Sequence, residues 1–324
     1  MKALTTETQL VTAAGKTIAE DSTVFFNGRF VPLAEANISI ATHALHYGTG
    51  TFEGLRGYWV EEKEQLYILK LSEHVDRFFR SCNVLRIQPP FSEDEFAGYV
   101  TELVRSNGWR SDVYIRPIAF KSSQTIKLTL SSLEDSFAIF AFPFGHYAHR
   151  DGGLQVCMSP WRRIDDASIP TRAKVTGSYV NASLASDDAA RAGYDEALML
   201  TSTGNLSEAS SANVFLVRGR KLVTPALSES ILEGITRECV IQLVQEELGY
   251  AVEERTVGRT EPYLADEVFL CGTGVQIEPV VAIDGVRIGS GTPGPVVGQL
   301  QALFAAAVRN QNPAYRAWCT PVYD

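Results

Sequence analysis

Four short segments fall in a fixed order along the chain, and any fold that serves them must bring them to one place. Lys174 lies in Pro170-Thr-Arg-Ala-Lys-Val-Thr-Gly-Ser-Tyr179, past a polar loop and opening a helix. Glu208 follows in Gly204-Asn-Leu-Ser-Glu-Ala-Ser-Ser-Ala-Asn213, a polar stretch between two strands. Glu233-Gly-Ile-Thr-Arg237 is a turn opening another helix, and Gly272-Thr-Gly274 is a glycine turn after a strand. The set comprises an amine, a carboxylate and two stretches of backbone able to meet an anion.

Each member has a plainer reading when it stands alone. A lysine at a helix start is usually solvated, and a loop glutamate usually sits in water. A threonine near a helix start is common, and Tyr179 reads equally well as an amphipathic core residue. Together they suit pyridoxal 5'-phosphate, whose handles are an aldehyde, a pyridine nitrogen and a phosphate. A lysine that attacks an aldehyde must be neutral, which burial or a nearby cation achieves. Arg77 or Arg80, on the flank of a helix, is a candidate to pair the phosphate; a surface salt bridge from Glu73 to Arg77 is the competing account. Tyr114 and Arg116 share one strand face, and an arginine there wants an anion. His43 and His46 have no third ligand beside them, so no metal site is expected. Gly272-Thr-Gly274 lacks the G-x-G-x-x-G spacing of a dinucleotide site.

Composition bounds the function. A net charge of -9 argues against nucleic acid or an anionic membrane as main partner. Cysteines 82, 157, 239, 271 and 319 are scattered and odd in number, which reads as reduced and cytoplasmic. The N-terminus is polar and no apolar run is long enough to span a bilayer.

At 324 residues, two domains are the fair expectation. Residues 1–22 read as a loose N-terminal arm and 23–143 as a small α/β domain. Residues 144–153 read as an interdomain loop and 154–324 as a larger domain. Asn27-Gly28 between apolar runs signals a hairpin. Ser72–Leu85 reads as a helix with Ser72 as N-cap, and Ser92-Glu-Asp-Glu95 as a capping box before a helix that Gly108 ends. Strands are expected at 113–120, 136–142, 196–200, 214–217, 221–224 and 267–270, with a second hairpin at 283–288. Further helices are expected at 178–192, 235–248 and 295–308.

These pieces resemble the fold type IV pyridoxal-phosphate aminotransferases, most closely the branched-chain amino acid aminotransferases. The matching text includes His43-Ala-Leu-His-Tyr-Gly-Thr-Gly-Thr-Phe-Glu-Gly-Leu-Arg56, Glu73-His-Val-Asp-Arg77, Val113-Tyr-Ile-Arg-Pro117, Ile169-Pro-Thr-Arg-Ala-Lys174, Leu206-Ser-Glu208, Glu233-Gly-Ile-Thr-Arg237 and Gly272-Thr273. The resemblance implies an α+β or α/β two-domain fold, a small α/β domain plus a larger pseudo-barrel. It implies that Lys174 forms the internal aldimine and shuttles the proton, with Tyr179 at the ring oxygen and Glu208 at the ring nitrogen. Arg77, Ile235, Thr236 and Thr273 would hold the phosphate, and backbone at Thr273 and Gly274 the substrate α-carboxylate. Tyr47, Phe52, Gly54, Tyr114, Arg116 and the loop residue Tyr147 would line the side-chain pocket. The implied reaction is ping-pong transfer between branched-chain L-amino acids and 2-oxoglutarate by a homodimer or larger assembly.

Two departures bear on substrate range. Gly274-Val275-Gln276 stands where Ala-Ala-Glu is frequent in the family, which removes a methyl beside the carboxylate site. Phe144 stands where Trp is frequent. A D-amino acid or (R)-amine transaminase is therefore the runner-up, ahead of an aminodeoxychorismate lyase or a pyridoxal-phosphate-binding protein without turnover.

Overall fold

The computed structural model describes residues 10–11, 17–18, 22–145 and 152–324. Most of the expected N-terminal arm, and the centre of the expected interdomain loop with Tyr147, lie outside the described residues. A short antiparallel ladder joins β1 (Leu10–Val11) to β2 (Thr17–Ile18).

The first sheet contains β3 (Thr23–Phe26), β4 (Arg29–Pro32), β5 (Gly50–Phe52), β6 (Leu55–Val60), β7 (Gln65–Leu69), β8 (Val113–Lys121) and β9 (Asp135–Pro143). Asn27 and Gly28 turn β3 into β4 with φ of 47° and 85°, the left-handed pair that a two-residue hairpin needs. A five-residue helix, α1 (His43–Tyr47), precedes β5. Helices α2 (Leu71–Val84) and α3 (Glu93–Asn107) pack on one face of this sheet. Val75, Phe78 and Cys82 of α2 meet Phe96, Val100 and Leu103 of α3 over Leu55, Ile68, Val113 and Ile115. Ser92 caps α3: its hydroxyl accepts from Glu95 N, while Glu95 reaches back to Ser92 N. Gly108 closes that helix with φ of 65°.

Ser72 does not cap α2. Lys70 takes that position in a left-handed conformation, φ 51°, and its N–H donates to Trp318 O. A tertiary hydrogen bond therefore starts the helix one residue before the expected cap. Glu73 pairs with Lys70 rather than with Arg77.

The second sheet runs β12-β11-β10-β17-β16-β13-β14-β15, with β18 on β17. Its strands are β10 (Leu154–Arg162), β11 (Glu196–Leu200), β12 (Leu206–Ala209), β13 (Asn213–Arg218), β14 (Lys221–Pro225), β15 (Ala251–Arg255), β16 (Glu267–Gly272), β17 (Gln276–Ile283) and β18 (Val286–Arg287). Leu206 N, on edge strand β12, donates to Val257 O just beyond the other edge, β15, at 2.8 Å, and Asn205 bridges to Gly258. The sheet thus curls until its edges meet, as a barrel does. Period-2 alternation divides its side chains. Val214, Leu216, Val268 and Leu270 fill the interior, while Phe215, Val217, Phe269 and Cys271 face helices α5 (Ile235–Leu243) and α6 (Pro295–Val308). Helix α4 (Tyr179–Arg191) lies against β10 and β11 through Ala185 and Ala189. The expected helix over 235–248 is α-helical to Leu243 and then widens into a π turn, Val244–Leu248, closed by Gly249 at φ 65°.

The two halves are sewn together. Tyr58 and Leu69 of the first sheet pack into the α5–α6 cluster. The chain's last strand, β19 (Cys319–Pro321), returns to pair with β7 of the first sheet, so these residues of the 154–324 segment sit with the first half. Phe96 is fully buried and stacks on Phe78 at 4.9 Å. Phe96→Ala is expected to cost about 3–5 kcal/mol in denaturant unfolding; a loss below about 1 kcal/mol would contradict this packing.

Candidate active site

A cavity of about 310 Å³ opens at the seam between the halves. Lys174 stands in its wall, and not where a helix start would put it. The residue precedes a 3-10 turn, Thr176–Ser178, and α4 begins only at Tyr179. Lys174 is instead strapped to the first half: its carbonyl accepts from Phe52 N at 3.1 Å and Thr51 Oγ1 at 3.0 Å. Its Nζ bonds Tyr179 Oη at 2.6 Å and lies 4.9 Å from the Phe52 ring centroid.

Glu208 faces the same cavity from β12, so it is a strand residue rather than a loop carboxylate, and only 5% exposed. Burial pushes its carboxyl above the ordinary range, while the Arg163 guanidinium, Nη2 to Oε1 at 2.7 Å, and the Leu232 N–H pull it back. Asn213 Nδ2 and Leu232 N both donate to Oε2. Those three partners leave acceptor capacity on a carboxylate that has about four lone-pair sites.

Two stretches of backbone line the cavity beside these side chains. Gly234 caps α5, whose first intrahelical bond runs from Glu238 N to Gly234 O; the amides of Ile235, Thr236 and Arg237 precede it and have no partner within the helix. A Cβ at Gly234 would lie 2.0 Å from Asn213 Oδ1, so only glycine brings the helix this close. The turn Gly272–Gly274 closes the facing wall.

Arg77 reaches the cavity from α2, whereas Arg80 is exposed and pairs with Asp76. Arg77 Nε and Nη2 donate to Glu53 at 2.6 and 2.8 Å, and Nη1 donates to Glu233 O at 2.7 Å. Burial alone would raise the Glu53 carboxyl; the Arg77 charge and hydrogen bonds from His74 and Arg77 outweigh it, holding the group far below its ordinary value. Burial lowers His74 by more than Glu53 raises it, so its ring is held neutral to lower pH.

Phe52, Gly54, Tyr114 and Arg116 form the wall on the first-sheet side. Arg116 Nη2 donates to Tyr114 Oη at 2.9 Å, and its guanidinium lies 4.4 Å from the Phe52 ring centroid. Among the described residues Arg116 Nε is buried without a partner, which suits a site built for an anion. A Cβ on Gly54 would lie 2.1 Å from Tyr114 Oη, which makes that glycine a spacer.

The structure therefore gathers Lys174, Tyr179, Glu208, Arg77, Ile235, Thr236, Thr273, Gly274, Phe52, Gly54, Tyr114 and Arg116 around one cavity. It does not bring Tyr47 there. Helix α1 lies on the surface, and the Tyr47 hydroxyl donates outward to Ile126 O. Tyr147 lies outside the described residues. Sequence reading missed Arg163, Glu53, His74 and the lining segment Ser210–Ala212. Glu53 and His74 fall within quoted matching text and Ser210–Ala212 within the Gly204–Asn213 stretch, but none was given a role, and nothing around Arg163 carried a signal.

An amine, a carboxylate with spare acceptor capacity, uncommitted amides and a guanidinium around one cavity fit the handles of pyridoxal 5'-phosphate. Residues 50–283 match the profile of the family described as amino-transferase class IV. A probable branched-chain-amino-acid aminotransferase of Aquifex aeolicus is 46% identical over 300 residues, covering 93% of this chain and 96% of that protein. Among solved structures, the branched-chain amino acid aminotransferase of Thermobaculum terrenum in its PLP form superposes with a TM-score of 0.90 at 38% identity, covering 94% of this chain and 99% of that one. The branched-chain aminotransferase of Thermoproteus uzoniensis with norvaline gives 0.88 at 39% identity, covering 93% and 99%.

The buried Glu53–His74–Arg77 group sets a pH dependence of stability. Glu53 titrates below its ordinary 4.5 in the folded chain, so its contribution is present above that pH and lost as pH falls below it. His74 titrates below its ordinary 6.5; the unfolded chain takes up that proton first, and stability also falls on acidification from there. Glu53→Gln leaves Arg77 buried without its counter-charge and is expected to cost about 3–5 kcal/mol at pH 7. In thermal melts against pH, the gap between wild type and variant should narrow below pH 4.5; a constant gap down to pH 3 would contradict the assignment.

Proposed function

This chain belongs to the class IV aminotransferases, and from that premise we propose that it transfers the amino group of branched-chain L-amino acids to 2-oxoglutarate, with pyridoxal 5'-phosphate carried on Lys174. The reading rests most on one observation: the Lys174 amine, the buried Glu208 carboxylate and the open end of α5 share a single cavity. Bound there, the cofactor supplies an electron-withdrawing ring that acidifies the substrate Cα–H.

Each residue has a role that follows from its setting. With the cofactor bound, Lys174 Nζ would be the base that receives the Cα proton. Tyr179 Oη holds that nitrogen and would bond the ring oxygen. Glu208 would face the ring nitrogen, and the charge of its carboxylate, paired with Arg163, would favour a proton there. Arg77, the amides of Ile235 and Thr236, the Thr236 hydroxyl and Thr273 hold the phosphate. Backbone at Thr273 and Gly274 takes the α-carboxylate. Phe52, Gly54 and Tyr114 enclose a branched alkyl chain, and Arg116 meets the γ-carboxylate of glutamate in the second half-reaction.

The same proposal includes a homodimer. Ile38, Ile40, Leu45, Ile126 and Leu128 are 53%, 85%, 63%, 82% and 75% exposed. Ile38 and Leu45 line an apolar groove with Val24, Phe26, Phe120 and Phe140, and Tyr47, two residues past Leu45, hydrogen-bonds Ile126 O. Contiguous exposed apolar surface of this kind marks an interface. Tyr47 lies on this face, so a pocket role for it requires a neighbouring copy. Among the described residues no helix is long and apolar enough to cross a membrane, and the five cysteines are unpaired. Both suit work in the cytoplasm.

The purified, cofactor-loaded protein is to be mixed with L-leucine, D-alanine or (R)-1-phenylethylamine, one at a time, while the visible absorbance of the cofactor is followed. L-leucine should bleach it; a response confined to D-alanine would overturn the substrate assignment. Lys174→Ala should lower turnover by more than about a hundredfold with an unchanged circular dichroism spectrum. Near-normal turnover in that variant contradicts the role given to Lys174. For the dimer, Leu45→Glu should shift the protein to monomers in sedimentation, and an unchanged sedimentation coefficient would remove that face from the interface.

A further inference from the structure

Lys174 belongs to the second half of the chain, yet its main-chain hydrogen bonds go to the first. Its N–H donates to Ser81 Oγ at 3.1 Å. Its carbonyl accepts from Thr51 Oγ1 at 3.0 Å and from Phe52 N at 3.1 Å. Thr51 and Ser81 are 0% and 1% exposed, and neither lines the cavity. Ser81 Oγ in turn donates to Arg77 O at 2.8 Å, one turn back along α2. One hydroxyl therefore joins the backbone of the phosphate-facing arginine to the backbone of the lysine, across the seam between the halves. The strap continues past the lysine: Thr51 bridges to Val175, and Thr176 Oγ1 donates to Gly48 O and Gly50 O.

A lysine side chain has a long flexible stem, so where its amine stands depends first on where its Cα is held. Fixing the amide and the carbonyl from two directions removes rigid-body freedom that the stem would multiply. Without the Ser81 hydroxyl the Lys174 amide loses this partner, and without the Thr51 hydroxyl the Lys174 carbonyl keeps only Phe52 N of the two, so the segment is free to shift. Shifts of this size at a base are felt strongly in rate.

We propose that Ser81 and Thr51 are positioning residues that hold Lys174 at the working distance from the cofactor that Arg77 anchors. The inference rests on the proposed attachment of the cofactor to Lys174. Arg77 keeps both Glu53 oxygens whether or not Ser81 has a hydroxyl, so phosphate anchoring and lysine placement are separable.

The test uses the cofactor-loaded full chain. Ser81→Ala and Thr51→Val are compared with Thr51→Ser, which keeps the hydroxyl. Three quantities are read: kcat and KM with L-leucine, the dissociation constant for pyridoxal phosphate, and the pH midpoint of the visible absorbance. Ser81→Ala and Thr51→Val should each lower kcat by roughly tenfold to a hundredfold and move the absorbance midpoint by about half a unit or more. Cofactor affinity should stay within about threefold of wild type, because the Arg77 contacts persist. Thr51→Ser should recover most of the kcat and restore the midpoint. If the variants only lower melting temperature, with kcat and midpoint unchanged, the hydroxyls are structural and the proposal falls. It falls equally if cofactor affinity drops in step with kcat, or if Thr51→Ser behaves as Thr51→Val. Should Ser81→Ala fail to fold, the Thr51 pair decides alone. A wild-type protein with no visible cofactor band would overturn the attachment itself, a result distinct from all of these.

Discussion

The buried Glu53–Arg77 pair is the constraint on which the seam depends. Arg77 lies in α2 of the first half and aims at the start of α5 in the second. A guanidinium so buried is tolerable only beside a counter-charge with well-formed hydrogen bonds. Glu53 supplies both oxygens, and His74 Nδ1 bonds Oε2, the oxygen that Arg77 Nη2 also reaches. Because Glu53 follows β5 directly, the pair also fixes the Phe52–Gly54 corner. That corner carries the cavity wall and the strap that holds Lys174.

The two sheets then divide the work. The curled second sheet brings Glu208, the open end of α5 and the glycine turn after β16 to one rim, on rigid elements whose other faces fill two hydrophobic clusters. The first sheet contributes the wall of Phe52, Tyr114 and Arg116. In the proposed reaction the second sheet holds the cofactor, which every substrate shares, and the first meets the substrate side chain. Phe144 and Gly274 sit where these surfaces join, tied by Arg56, which donates to Gly274 O and Gly145 O and lies 5.2 Å from the Phe144 ring centroid. The two departures from the family text are thus neighbours in space, beside the proposed carboxylate turn.

Local signals were legible in the sequence where local physics decides. The Asn27-Gly28 hairpin, the Ser92 capping box and the helix over Pro295–Val308 depend on turn chemistry and periodicity, and the structure has them. Elements decided by tertiary contact were not legible. Strands β5 and β6 are buried on nearly every residue and broken by glycines, so they show no alternation. Strand β19 ends in a proline and is made by pairing with β7. Lys70 starts α2 because Trp318 O accepts its N–H, a partner distant in sequence.

The site divides the same way. Lys174, Glu208, Thr236 and Thr273 sit in short motifs whose residue types carry chemistry, and they converge. Arg163 and His74 act by pairing with carboxylates remote in sequence, and even the matching text around His74 does not reveal its partner. Tyr47 was singled out only through family text, and the structure puts it on α1, away from the cavity. The lysine was expected to open a helix, but its segment is strapped to the first half and precedes a 3-10 turn.

The attachment point is the claim on which every proposed role rests. Borohydride reduction of the cofactor-loaded protein, followed by proteolysis and peptide mapping, tests it most directly. A pyridoxyl label on Lys174 is the expected result. A label on any other lysine, or on none, would contradict the placement of the reaction at this seam.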